Sequence, residues 1–255
     1  MCSSDLHLPC LRFLKIAGMN NVKCIGNEFY SDGNNRNALF PALKRLELNH
    51  MGILEEWKDA EKLTTGEGGV FPCLEELTIR SCHNLNSIPD LRGLHSLTQL
   101  VIMGCPKLTL LLEGFLDRFT QMKTLKIFGL LSPFRFECRC LNVSLSSLQL
   151  NMSADLNPLS DKIQRFTVLK ELHVESFDVM EALPEWLGKL SSLQSLSLSN
   201  CKNLMDLSTV EAMRSLTKLD IVRCPKLKER YAKGSGAESS KIAHIQDITI
   251  GGERY

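Results

Sequence analysis

Ten cysteines are the residues of this sequence with the widest chemical range, because thiols can bind metal ions, form disulfides or act as nucleophiles. They lack the C-x-x-C spacing of a zinc ribbon, and Cys138-Arg-Cys140 forms a lone C-x-C. The first residues, MCSSDLHLPC, have neither the basic nor the apolar segment of a secretory signal. We therefore expect most of the thiols to be buried and reduced, with no metal site.

Other catalytic patterns are also missing from the sequence. The six histidines are scattered without an H-E-x-x-H motif, and the serine-rich stretch SLSLSN (195–200) lacks the G-x-S-x-G of a nucleophile elbow. We expect no enzymatic activity, no cofactor and no small-molecule substrate.

Charge and hydropathy exclude further classes of function. Lys and Arg (30) nearly balance Asp and Glu (29), which argues against a nucleic-acid-binding domain. No apolar run approaches the roughly 18 residues of a membrane span. We expect a cytoplasmic protein, with the nucleus as a second location.

The organising feature is a repeated pattern in which apolar residues are spaced by three and then by two. It occurs ten times at a period of about 24 residues, starting at Leu11, Leu43, Leu74, Leu97, Met122, Leu145, Leu169, Leu193, Leu216 and Ile245. This pattern is typical of leucine-rich repeats. It predicts an α/β solenoid, a leucine-rich-repeat horseshoe with about ten parallel strands on its concave side and an irregular or short-helical convex side.

Strand geometry assigns a direction to each position of the repeat. Side chains alternate between the two faces of a strand, so Leu77 and Ile79 should point inward and Thr78 and Arg80 outward. Three residues after the last inward position, Cys82, Cys105, Cys201 and Cys224 occupy the Asn/Cys position of the repeat. We expect one domain over 1–255, with long convex loops near 26–37 and 58–69 and a terminal repeat at 241–252.

The outward positions form the candidate binding surface. Most are polar, but Val101, Met103 and Phe128 are apolar, and apolar clusters with a polar rim are typical of interaction sites. The predicted protein-binding residues are Val101, Met103, Lys126, Phe128, Gln149, Asn151, Glu171, His173 and Glu175.

Several segments resemble the leucine-rich-repeat region of plant intracellular immune receptors, the coiled-coil, nucleotide-binding (NB-ARC) disease-resistance proteins of the blight-resistance-analogue type. The resemblance is carried by residues 8–30, 40–57, 71–85 and 241–252, and by GCPKL and RCPKL, which start at Gly104 and Arg223. It implies a recognition module in plant innate immunity. The partners it implies are a pathogen effector, a guarded host protein or the NB-ARC domain itself.

Two alternatives stay open at this stage. The sequence contains no G-x-x-x-x-G-K-[ST] phosphate-binding loop, so the nucleotide-binding function of these receptors does not transfer to it. A truncated decoy fragment is therefore one alternative, and the leucine-rich-repeat substrate receptor of a ubiquitin ligase is the other.

Overall fold

The computed structural model describes residues 8–30, 40–58, 71–89, 94–109, 121–130, 144–152, 161–231 and 238–254. The chain divides into two compact units. The first comprises Met1–Met122 and Gly129–Cys140, and the second comprises Lys123–Phe128 and Leu141–Tyr255. The expectation of a single domain stays a prediction.

The first unit contains six of the strands. Along the chain they are β1 (Phe13–Ala17), β2 (Cys24–Ile25), β3 (Arg45–Asn49), β4 (Glu56–Trp57), β5 (Glu76–Arg80) and β6 (Gln99–Met103). Strands β1, β3, β5 and β6 pair side by side, all parallel and without a shift in register. Strands β2 and β4 form a separate parallel pair on the return legs of the coils.

The second unit continues the pattern. Its strands are β7 (Thr124–Leu130, of which the last two residues belong to the first unit), β8 (Ser147–Met152), β9 (Glu171–Glu175), β10 (Ser195–Ser199), β11 (Lys218–Val222), β12 (Asp247–Ile250) and β13 (Glu253–Arg254). They are adjacent in this order, parallel from β8 to β12, and β13 closes the series by pairing antiparallel with β12.

Helices are few and short in the described part of the chain. The two α-helices are α1 (Val210–Met213) and α2 (Pro225–Tyr231), and the 3-10 helices are Asn27–Phe29, Asp161–Arg165, Glu185–Lys189 and Ser239–Ile242. The expectation of short helices is thus confirmed for the described residues. The leucine-rich-repeat solenoid is confirmed as well, because all ten predicted repeats carry a strand at the expected position.

The repeat pattern determines which side chains form the core. Leu74, Leu77 and Ile79 of one coil are fully buried, and so is Leu85 on its return leg. Burying such a side chain stabilises the fold by roughly 1.5–3 kcal/mol. Because no coil can cover its own apolar face, this stabilisation exists only where neighbouring coils are stacked.

Most coils turn through a residue with left-handed backbone conformation, two positions after the last inward residue of the strand. Gly104 has φ +62°, and Ser81 and Arg223 occupy the same place in their coils with φ +53° and +54°. The N–H of Ser81 donates to the carbonyl of Met103 at 2.8 Å, which extends the ladder beyond the strand. The position does not stand out in the sequence, because several residue types other than glycine fill it.

The thiols at the Asn/Cys position are buried as expected. Cys82, Cys105, Cys201 and Cys224 are at most 2% exposed, and the Cys224 thiol donates to the carbonyls of Val222 (3.4 Å) and Leu198 (3.5 Å). All cysteines of the described residues are free.

Two other cysteines are exceptions to the expectation that most of the thiols are buried. Cys10 and Cys73 are exposed, because both precede the first inward residue of a repeat and point away from the core. Cys138 and Cys140 lie outside the described residues.

An aromatic cluster, also missed by the sequence analysis, fills the return legs of the first unit. The ring of Phe29 lies 5.6 Å from Phe40, 6.3 Å from Trp57 and 6.1 Å from Phe71, measured between centroids. Aromatic pairs at these distances add about 0.5–1.5 kcal/mol each beyond the area they bury. The cluster therefore holds together two coils whose repeats are longer than the others.

Candidate protein-binding surface

Seven of the nine predicted binding residues lie on the outward face of the sheet in the second unit. Strand β7 provides Lys126 and Phe128, and the neighbouring strands β8 and β9 provide Gln149, Asn151, Glu171, His173 and Glu175. The inward residues between them, such as Leu125 and Leu172, are at most 2% exposed. The alternation of a strand thus places the predicted residues away from the core, as expected.

Phe128 and His173 form the centre of this surface. Their ring centroids are 6.2 Å apart with planes tilted by 43°, and both side chains are half-buried. In register, His173 of β9 lies between Gln149 of β8 and Ser197 of β10, so the Phe128 ring on β7 contacts it across strand β8. The contact therefore places an apolar aromatic ring beside a side chain that can take up a proton.

Burial lowers the pKa of His173 below its ordinary value of 6.5. Removing the imidazole from water disfavours its protonated form, and the positive charge of Lys126 acts in the same direction. The carboxylates of Glu175 and Asp220 oppose this shift, with Glu175 Oε2 at 3.9 Å from His173 Nε2. His173 is therefore mainly neutral at pH 7, and it can donate and accept a hydrogen bond.

The rim around this pair is polar and its side chains differ in length. Gln149, Asn151 and Glu175 are half-buried, while Glu171 is exposed. On the other side of β9, strand β10 presents only the short side chains Ser195, Ser197 and Ser199. The surface thus has an apolar centre with hydrogen-bonding groups around it, and its side chains are short on the side of β10.

The other two predicted residues lie in the first unit, and one of them is not surface. Val101 is only 3% exposed, so the expectation of an exposed apolar residue is wrong at this position. Its neighbour in register, Thr78, is 7% exposed, and longer side chains flank both residues within their strands. Met103 is half-buried.

Ion pairs occupy much of the remaining outward face of the first unit. Arg45 Nε and Nη2 donate to the two carboxylate oxygens of Glu76 at 2.7 and 3.0 Å, and Lys15 Nζ lies 3.9 Å from Glu47 Oε2. Asn49 Nδ2 donates to the same Glu47 oxygen at 3.3 Å. Strand alternation alone places these residues on the outward face, but it does not predict that they pair.

Neither a metal centre nor a membrane span is found in the part of the chain that the structure describes. It contains no group of three or more His, Cys, Asp and Glu side chains arranged to hold a metal ion. None of its helices has the length and apolar character that crossing a membrane requires.

In sequence, the chain is similar to plant disease resistance proteins. The profile of the family described as R13L1/DRL21 LRRs matches residues 135–224. Putative disease resistance RPP13-like protein 1 of Arabidopsis thaliana is 27% identical over 228 residues, which are 87% of this chain and 19% of that protein. A second putative disease resistance protein of the same plant is 35% identical over 101 residues, 39% of this chain and 7% of that protein. The chain thus spans about a fifth or less of the length of these relatives.

A solved structure supports the fold independently. The leucine-rich repeat domain of the type III effector XopL is similar with a TM-score of 0.66 at 20% sequence identity, over 96% of this chain and 78% of that one. At this identity the likeness concerns the fold alone. The chain is a leucine-rich-repeat domain similar in sequence to those of plant disease resistance proteins.

Proposed function

We propose that this leucine-rich-repeat domain is a protein-recognition module in plant defence, and that the outward face around Phe128 and His173 binds the partner. The partner is a pathogen effector, a guarded host protein or the nucleotide-binding domain of a longer receptor. The domain acts in the cytoplasm and carries no catalytic step of its own. Leucine-rich repeats in general supply extended protein-binding surfaces, and the sequence similarity to plant disease resistance proteins supports a role in defence.

The observation that carries the proposal is the half-buried Phe128 ring on an outward position. The ring lies outside the rows of inward core residues, and an apolar side chain among polar ones on a surface is typical of interaction sites, so its position favours a role in contact with another protein. Interfaces concentrate their binding energy in a few such residues, most often Trp, Tyr and Arg, and aromatic residues in general are enriched in interface cores. The adjacent neutral imidazole and the amides of Gln149 and Asn151 add directional hydrogen bonds to that apolar centre.

The experiment that tests this proposal is differential capture from plant tissue. The purified wild-type domain and its Phe128→Ala and Ser197→Ala variants are incubated with extract from infected leaves, and bound proteins are quantified by mass spectrometry. We expect proteins that are retained by the wild type and by Ser197→Ala but lost with Phe128→Ala. If Phe128→Ala retains every protein that the wild type retains, the surface around Phe128 is not the binding site.

A captured partner then allows the affinity to be measured. Phe128→Ala should weaken binding by about 2 kcal/mol or more, which is roughly thirtyfold in Kd, while Ser197→Ala should change it by less than about 0.5 kcal/mol. Both variants should leave the melting temperature almost unchanged, because both positions point away from the core.

A further inference from the structure

The left-handed turns of successive coils in the second unit are joined by backbone hydrogen bonds. The N–H of Ser176 donates to the carbonyl of Ser199 (2.9 Å), and the N–H of Asn200 donates to the carbonyl of Val222 (2.8 Å). Such bonds satisfy donors that would otherwise have no partner at the end of the strand. Arg223 is the next left-handed residue of this series, with φ +54°, but its N–H makes no backbone hydrogen bond within the described residues.

The turn that follows β12 explains why this bond is missing. Ile221 pairs with Ile250, so continuing the register would place the carbonyl of Gly251 opposite the Arg223 N–H. However, Gly251 and Gly252 have φ +64° and +89° and form the two-residue turn between β12 and the antiparallel strand β13. Both residues of such a turn need positive φ, and the chain reverses there instead of continuing as the earlier coils do. The Arg223 N–H therefore lacks the acceptor that its equivalents have.

A cavity of about 450 Å³ lies at this break in the series of hydrogen bonds. Its lining comes from the end of β11, from α2 and from the turn, and it includes Val222, Arg223, Pro225, Lys228, Gly251 and Gly252. Most of its wall is apolar, so it offers a ligand few polar groups. Because Arg223 and Gly251 both line the cavity, the N–H that would have joined them is a hydrogen-bond donor at this site.

Lys228 places a positive charge beside the turn. A Cβ atom at Gly251 would lie 3.0 Å from Lys228 Nζ, so the absence of a side chain there leaves room for the ammonium group. Lys228 Nζ is 3.8 Å from Glu253 Oε1, but the Glu253 side chain is 79% exposed, and ion pairs in water contribute little to stability. An incoming anion can therefore replace the Glu253 carboxylate next to Lys228. Arg223 is exposed and adds a second positive charge to the lining.

We propose that this cavity binds a small organic acid, whose carboxylate is held by the Arg223 N–H and the Lys228 ammonium while its apolar body lies against Val222 and Pro225. These two donors suit a carboxylate, because it accepts through two oxygens and its bond to an ammonium group is charge-assisted. Sites for small ligands typically enclose about 300–1,000 Å³ and have mainly apolar walls with a few polar groups that orient the ligand. No residue of this lining belongs to the surface around Phe128, so the two sites can be tested separately.

Titration of the isotope-labelled full chain with benzoate, followed through its backbone amide NMR signals, tests the site. Benzoate carries a carboxylate on an apolar ring, and benzamide is its uncharged counterpart of nearly the same shape. We expect a saturable shift of the Arg223 amide with benzoate and none with benzamide. The Asn200 amide is the control, because its N–H is already bonded to Val222 and should not respond. Inorganic phosphate, which has no apolar body, should bind roughly tenfold or more weakly than benzoate.

Three variants assign the binding to the charges of the cavity. Lys228→Gln should weaken benzoate binding roughly tenfold or more, because it removes the charged donor. Lys226→Gln is the matched control on the same helix: it removes the same charge, but Lys226 Nζ donates to Asn203 Oδ1 at 3.1 Å, and its binding should equal that of the wild type. Glu253→Gln should bind benzoate more tightly, by up to about fivefold, because it removes the competing carboxylate.

The three substituted side chains are exposed, so we expect unchanged melting temperatures, which verify that each variant is folded. A benzoate titration without a saturable shift at Arg223 would overturn the proposal, and so would benzamide or phosphate binding as tightly as benzoate. Equal loss of binding in Lys226→Gln and Lys228→Gln would also overturn it, because the effect would then come from net charge and not from the cavity.

Discussion

The outward faces of β3 and β5 in the first unit and of β9 and β10 in the second unit have the same backbone and opposite surface chemistry. On β3 and β5, Arg45 is paired with Glu76 through two hydrogen bonds, and Thr78 is almost fully buried. On β9 and β10, His173 contacts the Phe128 ring, and the adjacent outward residues are serines. The first face pairs Arg45 with Glu76, whereas the second presents the half-buried Phe128 ring of β7 beside His173 and a row of short serine side chains.

The difference shows how leucine-rich repeats separate folding from recognition. Inward positions are apolar in both units, because every coil must bury them against its neighbours. Outward positions make no such demand, so their chemistry varies without loss of the fold. The two charged side chains of an ion pair already interact with each other. A second protein must separate them before it can form its own ion pairs with either one. We therefore expect the face around Phe128 and His173 to be the better binding surface.

Inward residues should stabilise the fold, and outward residues should bind partners. The sharpest test of this difference compares two residues of one strand. Leu125 is fully buried and Phe128 lies on the outward face of the same strand, β7. Leu125→Ala should destabilise the protein by roughly 2–5 kcal/mol, because it leaves a cavity in the core. Phe128→Ala should scarcely change the unfolding midpoint in urea. If Phe128→Ala is the more destabilising substitution, the inward and outward assignments of β7 are reversed.

The left-handed turn occurs in both units. Replacing its glycine should destabilise the protein, whereas introducing a glycine in place of another residue should not. Gly104→Ala should cost about 1–2 kcal/mol, because φ +62° is unfavourable for a residue with a Cβ atom. Space is not the reason, since a Cβ there would lie 3.7 Å from the nearest atom. Arg223→Gly in the second unit, at φ +54°, should be neutral or stabilising by up to about 1 kcal/mol. Thermal unfolding of the two variants measures both effects.

On the outward face of the first unit, the pairing of charges depends on how strongly Arg45 and Glu76 interact. A double-mutant cycle with Arg45→Ala and Glu76→Ala should give a coupling energy of about 0.2–1 kcal/mol, the usual range for an exposed pair. Because the charges are exposed, this coupling should fall as salt is added. A coupling energy that is zero at low salt would show that the two side chains do not hold each other in solution.

The smallest expected effect is the pH dependence that His173 confers on the second unit. Its pKa is lower in the folded than in the unfolded state, so the unfolded chain binds more protons as pH falls through about 6.5. This contribution to stability is therefore fully present above that pH and is lost progressively as pH falls towards the lowered pKa. In His173→Gln the decline between pH 7.5 and pH 5 should be shallower than in the wild type, measured by urea unfolding at each pH. An identical decline in both proteins would contradict the lowered pKa.

Much of the fold could be predicted from the spacing of apolar residues, because burial constrains inward positions such as Leu77 and Ile79 to a few residue types. The repeat pattern places Arg45 and Glu76 at the same position of successive coils, but it does not predict their ion pair, because burial does not fix the residue type at an outward position. Val101 was misassigned for a related reason: its direction follows from strand alternation, but its exposure depends on the length of its neighbours. The aromatic cluster around Phe29 was missed because its members come from return legs of irregular length.

The central claim is that the second unit's outward face binds protein and the first unit's paired face does not. The most direct test is to measure the affinity of one captured partner for Phe128→Ala and for Arg45→Ala, by calorimetry at one salt concentration. Our account predicts a loss of about 2 kcal/mol or more for Phe128→Ala and less than about 0.5 kcal/mol for Arg45→Ala. A larger loss for Arg45→Ala than for Phe128→Ala, with both variants folded, would contradict it.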